Sequence, residues 1–228
     1  MGWMDQLKKA GMSMVYGYLD QDPDRNLPKL IDWADQLDTK NVYGPARKQF
    51  RKVIEDPESN WYQLIKSLWT DIDDGVRRTL FENFIVNASL LGYPKQIQNS
   101  EKYGCNIPWA ILMDPTSACN LHCTGCWAAE YGNRTNMDLE TLDSIVKQGT
   151  ELGTYMYLYT GGEPLVRKKD LITLCERHSD CVFLSFTNAT LIDEAFADEM
   201  LRVKNFVPAI SVEGFEEATD SRRGQGTF

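Results

Sequence analysis

The chain lacks a surplus of basic residues. Lysine and arginine number 24 against 33 aspartates and glutamates, a net charge of −9, and neutralising duplex phosphates takes clustered cations that such a chain does not supply. Nucleic acid is therefore not expected as a partner. Long apolar runs are also missing. No stretch approaches the roughly 20 residues of a membrane helix. In the opening "MGWMDQLKKAGMSMVYGYL", Asp5, Lys8 and Lys9 fall where a signal peptide would need its apolar centre. The expectations are no transmembrane segment and a cytoplasmic location. Cysteine is scarce too: six in 228 residues are too few for a disulfide scaffold, and in a reducing compartment a tight group of them suits metal binding better.

What is present divides near residue 105. Up to about residue 100 every strong pattern is helical. In "NWYQLIKSLWTDI" Trp61, Leu64, Ile65, Leu68 and Trp69 fall at i, i+3, i+4, i+7 and i+8, one face of a helix. Val76, Leu80, Phe81, Phe84 and Ile85 repeat the arrangement, with Asp73, Asp74 and Arg78 outside it. "NLPKLIDWADQL" places Pro28 where a first turn tolerates it, and Leu30, Ile31 and Trp33 supply apolar contacts. Residues 1–104 are thus expected to form an all-helical module whose aromatics are core.

After "NSEKYGCNIP" the rhythm changes. "WAILMD" (109–114) is a short apolar run between Pro108 and Pro115, as for a buried strand. A helix follows in "DLETLDSIVKQGTELG", with Asp138 as N-cap and Gly153 at the stop. "TYMYLYT", "CVFLSFT" and "FVPAISV" read as three further strands, and "KDLITLCERH" and "DEAFADEMLRVK" as the helices between them. Four strands alternating with three helices predict α/β architecture, a parallel sheet with crossover helices over 105–228. Each strand is followed by an unusual loop: three cysteines, then Gly161-Gly162-Glu163-Pro164, then Thr187-Asn188-Ala189, then Glu213-Gly214. The carboxyl ends of parallel strands carry active sites, so the four loops can converge on one ligand.

The first loop, "TSACNLHCTGCWAAEYG", holds Cys119, Cys123 and Cys126. Thiolates bind soft metals, so zinc and an iron-sulfur cluster are both candidates. Structural zinc wants four closed ligands, and here no second cysteine pair exists; His122 lies inside the loop. A cubane is roomier: each cysteine caps a different iron, and the fourth iron stays open.

Cys119-x3-Cys123-x2-Cys126 after a first strand, with "TGGEPL" after a second, resembles the radical S-adenosylmethionine superfamily across residues 105–228. The resemblance implies a partial (β/α)6 barrel of about four β/α units. It implies a [4Fe-4S] cluster on Cys119, Cys123 and Cys126, whose open iron chelates S-adenosylmethionine, and reductive cleavage of that cofactor to start radical chemistry. Such an enzyme would be an oxidoreductase drawing on a one-electron donor such as ferredoxin or flavodoxin. Gly161 and Gly162 would let the backbone approach the methionine ammonium, with Glu163 and Pro164 completing the loop. On that reading Gly162→Val weakens cofactor binding while the cluster still assembles. Ser185, Thr187 and Asn188 resemble the family's ribose contacts. Glu213 opens the fourth loop, where Arg222 or Arg223 would pair with the methionine carboxylate.

Some positions depart from the family. Gly125 stands where a bulky residue usually lies beside adenine, and the nearest aromatic to take that place is Trp127. Ala189 and Glu213 stand where relatives often have Gly and Asp. Cys105, Cys175 and Cys181 match no ligand and read as reduced structural thiols. Four strands and an ending in "GQGTF", where a helix should begin, suggest a fragment of a six-unit barrel, by resemblance of the kind that continues into a SPASM-type region. The substrate is not legible: peptide modification, cofactor maturation and lipid-precursor chemistry all fit the family. The alternative class is a non-catalytic iron-sulfur electron-transfer or scaffold protein.

Overall fold

The computed structural model describes residues 2–37, 44–128, 132 and 134–228. It divides into two compact units, Met1–Phe81 and Glu82–Phe228. The division falls earlier than the change of rhythm near residue 105, because helices upstream of that point are tied by hydrogen bonds to the sheet-bearing unit.

The first unit is helical: α1 (Trp3–Gln21), α2 (Pro23–Leu37), α3 (Gly44–Ile54), α4 (Asn60–Thr70) and α5 (Asp74–Leu80). Helix α2 starts earlier than its sequence suggests. Asp22 accepts from the Arg25 and Asn26 amides, so Pro23 takes the first-turn place expected of Pro28, which lies inside the helix. The α4 face is likewise covered only along one edge. Trp61, Leu64 and Leu68 are 67%, 56% and 42% exposed, whereas Trp69 donates to Asp20 and lies under the Arg77 guanidinium. Arg77, buried, donates to the Tyr16 hydroxyl at 3.0 Å and to Asp20 and Asp74 at 2.9 and 2.7 Å. A buried cation is tolerable only with such partners.

The second unit opens one residue into a π-helix, Phe81–Gly92, which is continued by α6 (Tyr93–Tyr103). Its wider turn overrides the 3.6-residue pattern that points Phe84 and Ile85 inward; both are exposed, while Asn83, Val86, Asn87, Ala88 and Gly92 are buried. The buried amides are satisfied. Asn83 donates to the Ser179 and Cys181 carbonyls, Asn87 to Asp180, Gln96 to Gly153 and Asn99 to Leu152. These bonds hold the helical run against residues 150–181.

Strands β1 (Ala110–Thr116), β2 (Met156–Gly161), β3 (Val182–Thr187) and β4 (Phe206–Ile210) form one parallel sheet in the order β1-β2-β3-β4. Between them run α7 (Leu139–Leu152), α8 (Lys168–Arg177) and α9 (Glu194–Val203). Asp138 and Asp193 cap α7 and α9 by accepting from the Thr141 and Phe196 amides. Leu142, Val146, Leu171, Leu174 and Phe196 pack on Tyr157, Tyr159, Phe183 and Phe206; full burial of such side chains stabilises by roughly 1.5–3 kcal/mol each. The opposite sheet face carries Leu112, Leu158, Leu184 and Val207 in register. The last element, α10 (Glu216–Arg223), precedes the "GQGTF" segment rather than beginning in it. There the Asp220 carboxylate accepts from the Gly226, Thr227 and Phe228 amides and turns the chain back. The architecture is a helical N-terminal part followed by four units of a parallel α/β barrel sheet.

Candidate functional site

The loops after the four strands meet at the Cys loop. Two main-chain bonds join it to the Gly-Gly-Glu-Pro turn: Gly162 N–H donates to Thr116 O at 3.0 Å and Glu163 N–H to Ala118 O at 2.8 Å. The contact is closer than a side chain allows. A Cβ on Gly162 would stand 2.1 Å from the Ala118 oxygen and 2.6 Å from that of Ser117. The Cys loop by itself therefore demands glycine at this position.

Glu163 faces inward. Its carboxylate is 2% exposed. Oε1 accepts from the Thr187 hydroxyl at 2.7 Å and the Leu165 amide at 3.0 Å, and Oε2 from the Asn188 amide at 2.8 Å. Pro164 follows, buried, as the first residue of a 3-10 turn, Pro164–Arg167. The third loop is fastened twice, since Asn188 also donates to Asn120 at 3.0 Å, and Asn120 donates to Thr190 at 2.7 Å. Thr187 and Asn188 thus link Glu163 to the Cys loop. Ser185 does not join them: its register partners are Tyr159 and Pro208. Its hydroxyl is buried without a hydrogen-bond partner among the described residues, as is that of Tyr159.

The fourth loop reaches the cysteines through α10. Thr124 N–H donates to Arg222 O at 2.8 Å. Glu213 binds both arginines, Arg222 Nη1 at 2.5 Å and Arg223 Nη2 at 2.7 Å, and holds that helix in place. Both guanidiniums, one or other of which was expected to meet a ligand carboxylate, are engaged with Glu213, whose carboxyl is held below its ordinary value because Arg223 and then Arg222 hydrogen-bond to it.

Cys119, Cys123 and Cys126 are free thiols of intermediate burial, and His122 is exposed. The Cys119 sulfur accepts from Leu121 N–H at 3.4 Å. Burial pushes its thiol up; the Leu121 bond opposes this, and Glu163 and the other two cysteines add to the rise. A bound cation would reverse that balance. Among the described residues no three His, Cys, Asp or Glu side chains are gathered to hold one metal ion. A cubane does not ask for that, since each thiolate binds a different iron. Three half-buried sulfurs on one braced loop fit such a donor set. Cys175 and Cys181 lie in the core, where burial drives both thiols far above the ordinary range.

Sequence reasoning missed Asn120, Thr124 and Thr116, which stitch the loops together through amides and main chain and so leave no charge pattern. It also missed Asp114 at the end of β1. Among the described residues no helix is long and apolar enough to cross a membrane.

The family model of the Radical SAM superfamily matches residues 113–228. The chain is 34% identical over 119 residues to an uncharacterised protein of Archaeoglobus fulgidus, covering 51% of this chain and 28% of that protein. It is 30% identical over 132 residues to the PqqA peptide cyclase of Bradyrhizobium diazoefficiens, covering 56% of this chain and 34% of the cyclase. The chain therefore spans about a third of the length of these curated relatives. The crystal structure of Streptococcus suis SuiB bound to S-adenosylmethionine is similar with a TM-score of 0.50 at 21% identity, over 81% of this chain and 41% of that one. That likeness is one of fold.

Proposed function

The chain belongs to the Radical SAM superfamily, and we propose that it is the cluster-bearing part of a radical S-adenosylmethionine enzyme. Cys119, Cys123 and Cys126 hold a four-iron cluster at the carboxyl end of β1, and S-adenosylmethionine binds beside it among the loops after β2, β3 and β4. The bound pair supplies one-electron cleavage of the sulfonium bond, fed by a small reductant protein such as ferredoxin or flavodoxin. The chain's own residues fix the cysteines. Gly162 and Glu163 clamp the Cys loop from β2, Asn188 clamps it from β3 through Asn120, and Arg222 clamps it from α10 through Thr124. The observation that carries the reading is this convergence of three loops on the one that bears three free thiols.

The PqqA peptide cyclase relative, by its name, acts on a peptide. It favours peptide modification over cofactor maturation or lipid-precursor chemistry as the substrate class here. The decisive experiment is anaerobic reconstitution with iron and sulfide, followed by spectroscopy with and without S-adenosylmethionine and an assay for 5′-deoxyadenosine. Each of the variants Cys119→Ala, Cys123→Ala and Cys126→Ala should lose the cluster; Cys175→Ala and Cys181→Ala should keep it. Equal iron loss in all five, or tightly held zinc without iron, overturns the assignment. A cluster unperturbed by S-adenosylmethionine would move the chain to the electron-transfer class.

A further inference from the structure

Helix α1 carries two apolar faces. One packs inward: Met12, Tyr16 and Leu19 fall at i, i+4 and i+7, and Tyr16 and Leu19 are buried. The other points away from the body of the first unit. Trp3, Leu7, Ala10, Met14, Gly17 and Gln21 follow one another in alternate steps of four and three residues, the a/d pattern of a coiled-coil seam. All six are exposed, Trp3, Leu7 and Met14 by 71%, 60% and 76%. The charges of the helix stay off this seam. Asp5, Lys8 and Lys9 take f, b and c places, and Asp20, at a g place, is engaged with Arg77 and Trp69.

Glycine supplies an independent sign. It is unfavourable inside a helix, yet a Cβ at Gly11 or Gly17 would meet nothing within 4 Å. Packing among the described residues therefore does not call for glycine at either place, whereas the close approach of a second helix does.

The seam complements itself in one register. Laid antiparallel about residue 12, the midpoint of Trp3–Gln21, α1 of one copy sets Leu7 against Gly17 of the other and Met14 against Ala10. Each of these layers has a large side chain facing a small one. Along the edges Met4 meets Tyr18, Gly11 meets Gly11 and Gln6 meets Asp20, so no like charges oppose each other. A parallel pair would instead stack Leu7 on Leu7 and Met14 on Met14 and leave voids at Ala10 and Gly17. A lipid surface suits the seam less well. Lys8 and Lys9 lie behind it rather than along its edges, and anionic headgroups repel a chain of net charge −9.

We propose that α1 is a homodimerisation helix, pairing antiparallel with α1 of a second copy about a two-fold axis at residue 12. One helix pair, about 28 Å long, covers less than the roughly 1,200–2,000 Å² of standard interfaces, so a micromolar dimer is expected. The proposal concerns the first unit and does not rest on the radical-enzyme reading.

The test is sedimentation velocity of the 228-residue chain across the micromolar range, reduced and without iron, with circular dichroism to check folding. The unaltered chain should show a monomer–dimer equilibrium. Gly17→Leu, whose Cβ meets nothing in its own chain, should stay folded and weaken the dimer about tenfold. Met14→Ala should weaken it too, and Ala10→Met combined with Met14→Ala should restore it, because the antiparallel layer keeps its volume when the two side chains are exchanged. Where Gly17→Leu does not fold, Met14→Ala and the exchange decide. A chain monomeric throughout the range, or association unchanged in Gly17→Leu and Met14→Ala alike, overturns the proposal. Failure of the exchange to restore the dimer, or a dimer strengthened by Gly17→Leu as a parallel pair would be, overturns the register and with it the proposal. So does a chain that stays monomeric and binds phosphatidylglycerol vesicles through the same seam, with binding lost in Trp3→Ala.

Discussion

Thr187 donates its hydroxyl hydrogen to Glu163 Oε1 at 2.7 Å, so the end of β3 is fastened to the loop after β2 by a carboxylate that solvent hardly reaches. The other oxygen takes the Asn188 amide at 2.8 Å. Two strand ends are thereby locked in register just where the Cys loop passes.

Glu163→Gln keeps the size of the side chain but turns one acceptor into a donor. Whichever way the amide is placed, either the Asn188 amide or the Leu165 amide and Thr187 hydroxyl meet an N–H. A buried donor left unpaired costs about 1–3 kcal/mol. At about 2–4 °C per kcal/mol for a chain of this size, the melting temperature should fall by roughly 2–12 °C. An unchanged melting curve would show that the carboxylate bonds are not structural.

Gly162→Ala is a harsher change than its single methyl suggests. The new Cβ would fall 2.1 Å from Ala118 O and 2.6 Å from Ser117 O, main-chain atoms that cannot swing aside as a side chain can, so the Cys loop must move. The expectation from sequence was that a side chain at Gly162 disturbs only the cofactor. The structure predicts loss of iron uptake together with cofactor binding. Iron per chain after anaerobic reconstitution decides between them: a full complement with weakened S-adenosylmethionine affinity restores the earlier view.

Much of the sheet was legible because alternation of short apolar runs with capped amphipathic helices is a long-range pattern; Asp138 and Gly153 bound α7 as their residue types suggest. The π-helix was not. Its inward residues include Asn83 and Asn87, and hydrophobic periodicity cannot point to a buried amide whose partners lie over 90 residues away. The site was legible as a set of motifs, with Cys119, Gly162, Glu163 and Asn188 brought to one place. What each does locally was not. Glu163 turns inward, and Arg222 and Arg223 pair with Glu213, because hydrogen-bond geometry at the strand ends is set by the fold and has no signature in spacing.

Ala189 is a departure with a physical consequence. It holds φ at 63°, left-handed space that costs an L-residue about 1–2 kcal/mol. Glycine there removes that strain but returns roughly 0.4–1 kcal/mol to the unfolded chain's entropy, leaving a net gain of about 0.5 kcal/mol. Ala189→Gly should therefore raise the melting temperature by about 1–2 °C, and Ala189→Val should lower it. A fall in the glycine variant would mean that the turn is not strained.

Glu213 supplies a pH dependence whose sign can be worked out. Its carboxyl is lowered in the folded chain by Arg223 and then Arg222, so the folded state binds its proton less readily than the unfolded state does. The stabilisation is complete above the ordinary glutamate value and is lost as pH falls through the window down to the lowered folded value. Glu213→Gln removes that contribution at neutral pH. Urea midpoints of the two proteins should thus differ at pH 7 and converge on acidification, and the gap should shrink in high salt, chiefly through the exposed Arg222 partner. Asp138, Asp193 and Asp220 are lowered as well, but they titrate alike in both proteins and cancel from the difference. A second readout reports on the site. Because α10 holds Thr124 N–H through Arg222 O at 2.8 Å, loosening Glu213 should speed hydrogen exchange at the Thr124 amide while leaving Val146 in α7 protected. A midpoint gap that stays constant from pH 7 to pH 3, with Thr124 exchange unaltered, would separate the Glu213 pairs from the bracing of the Cys loop.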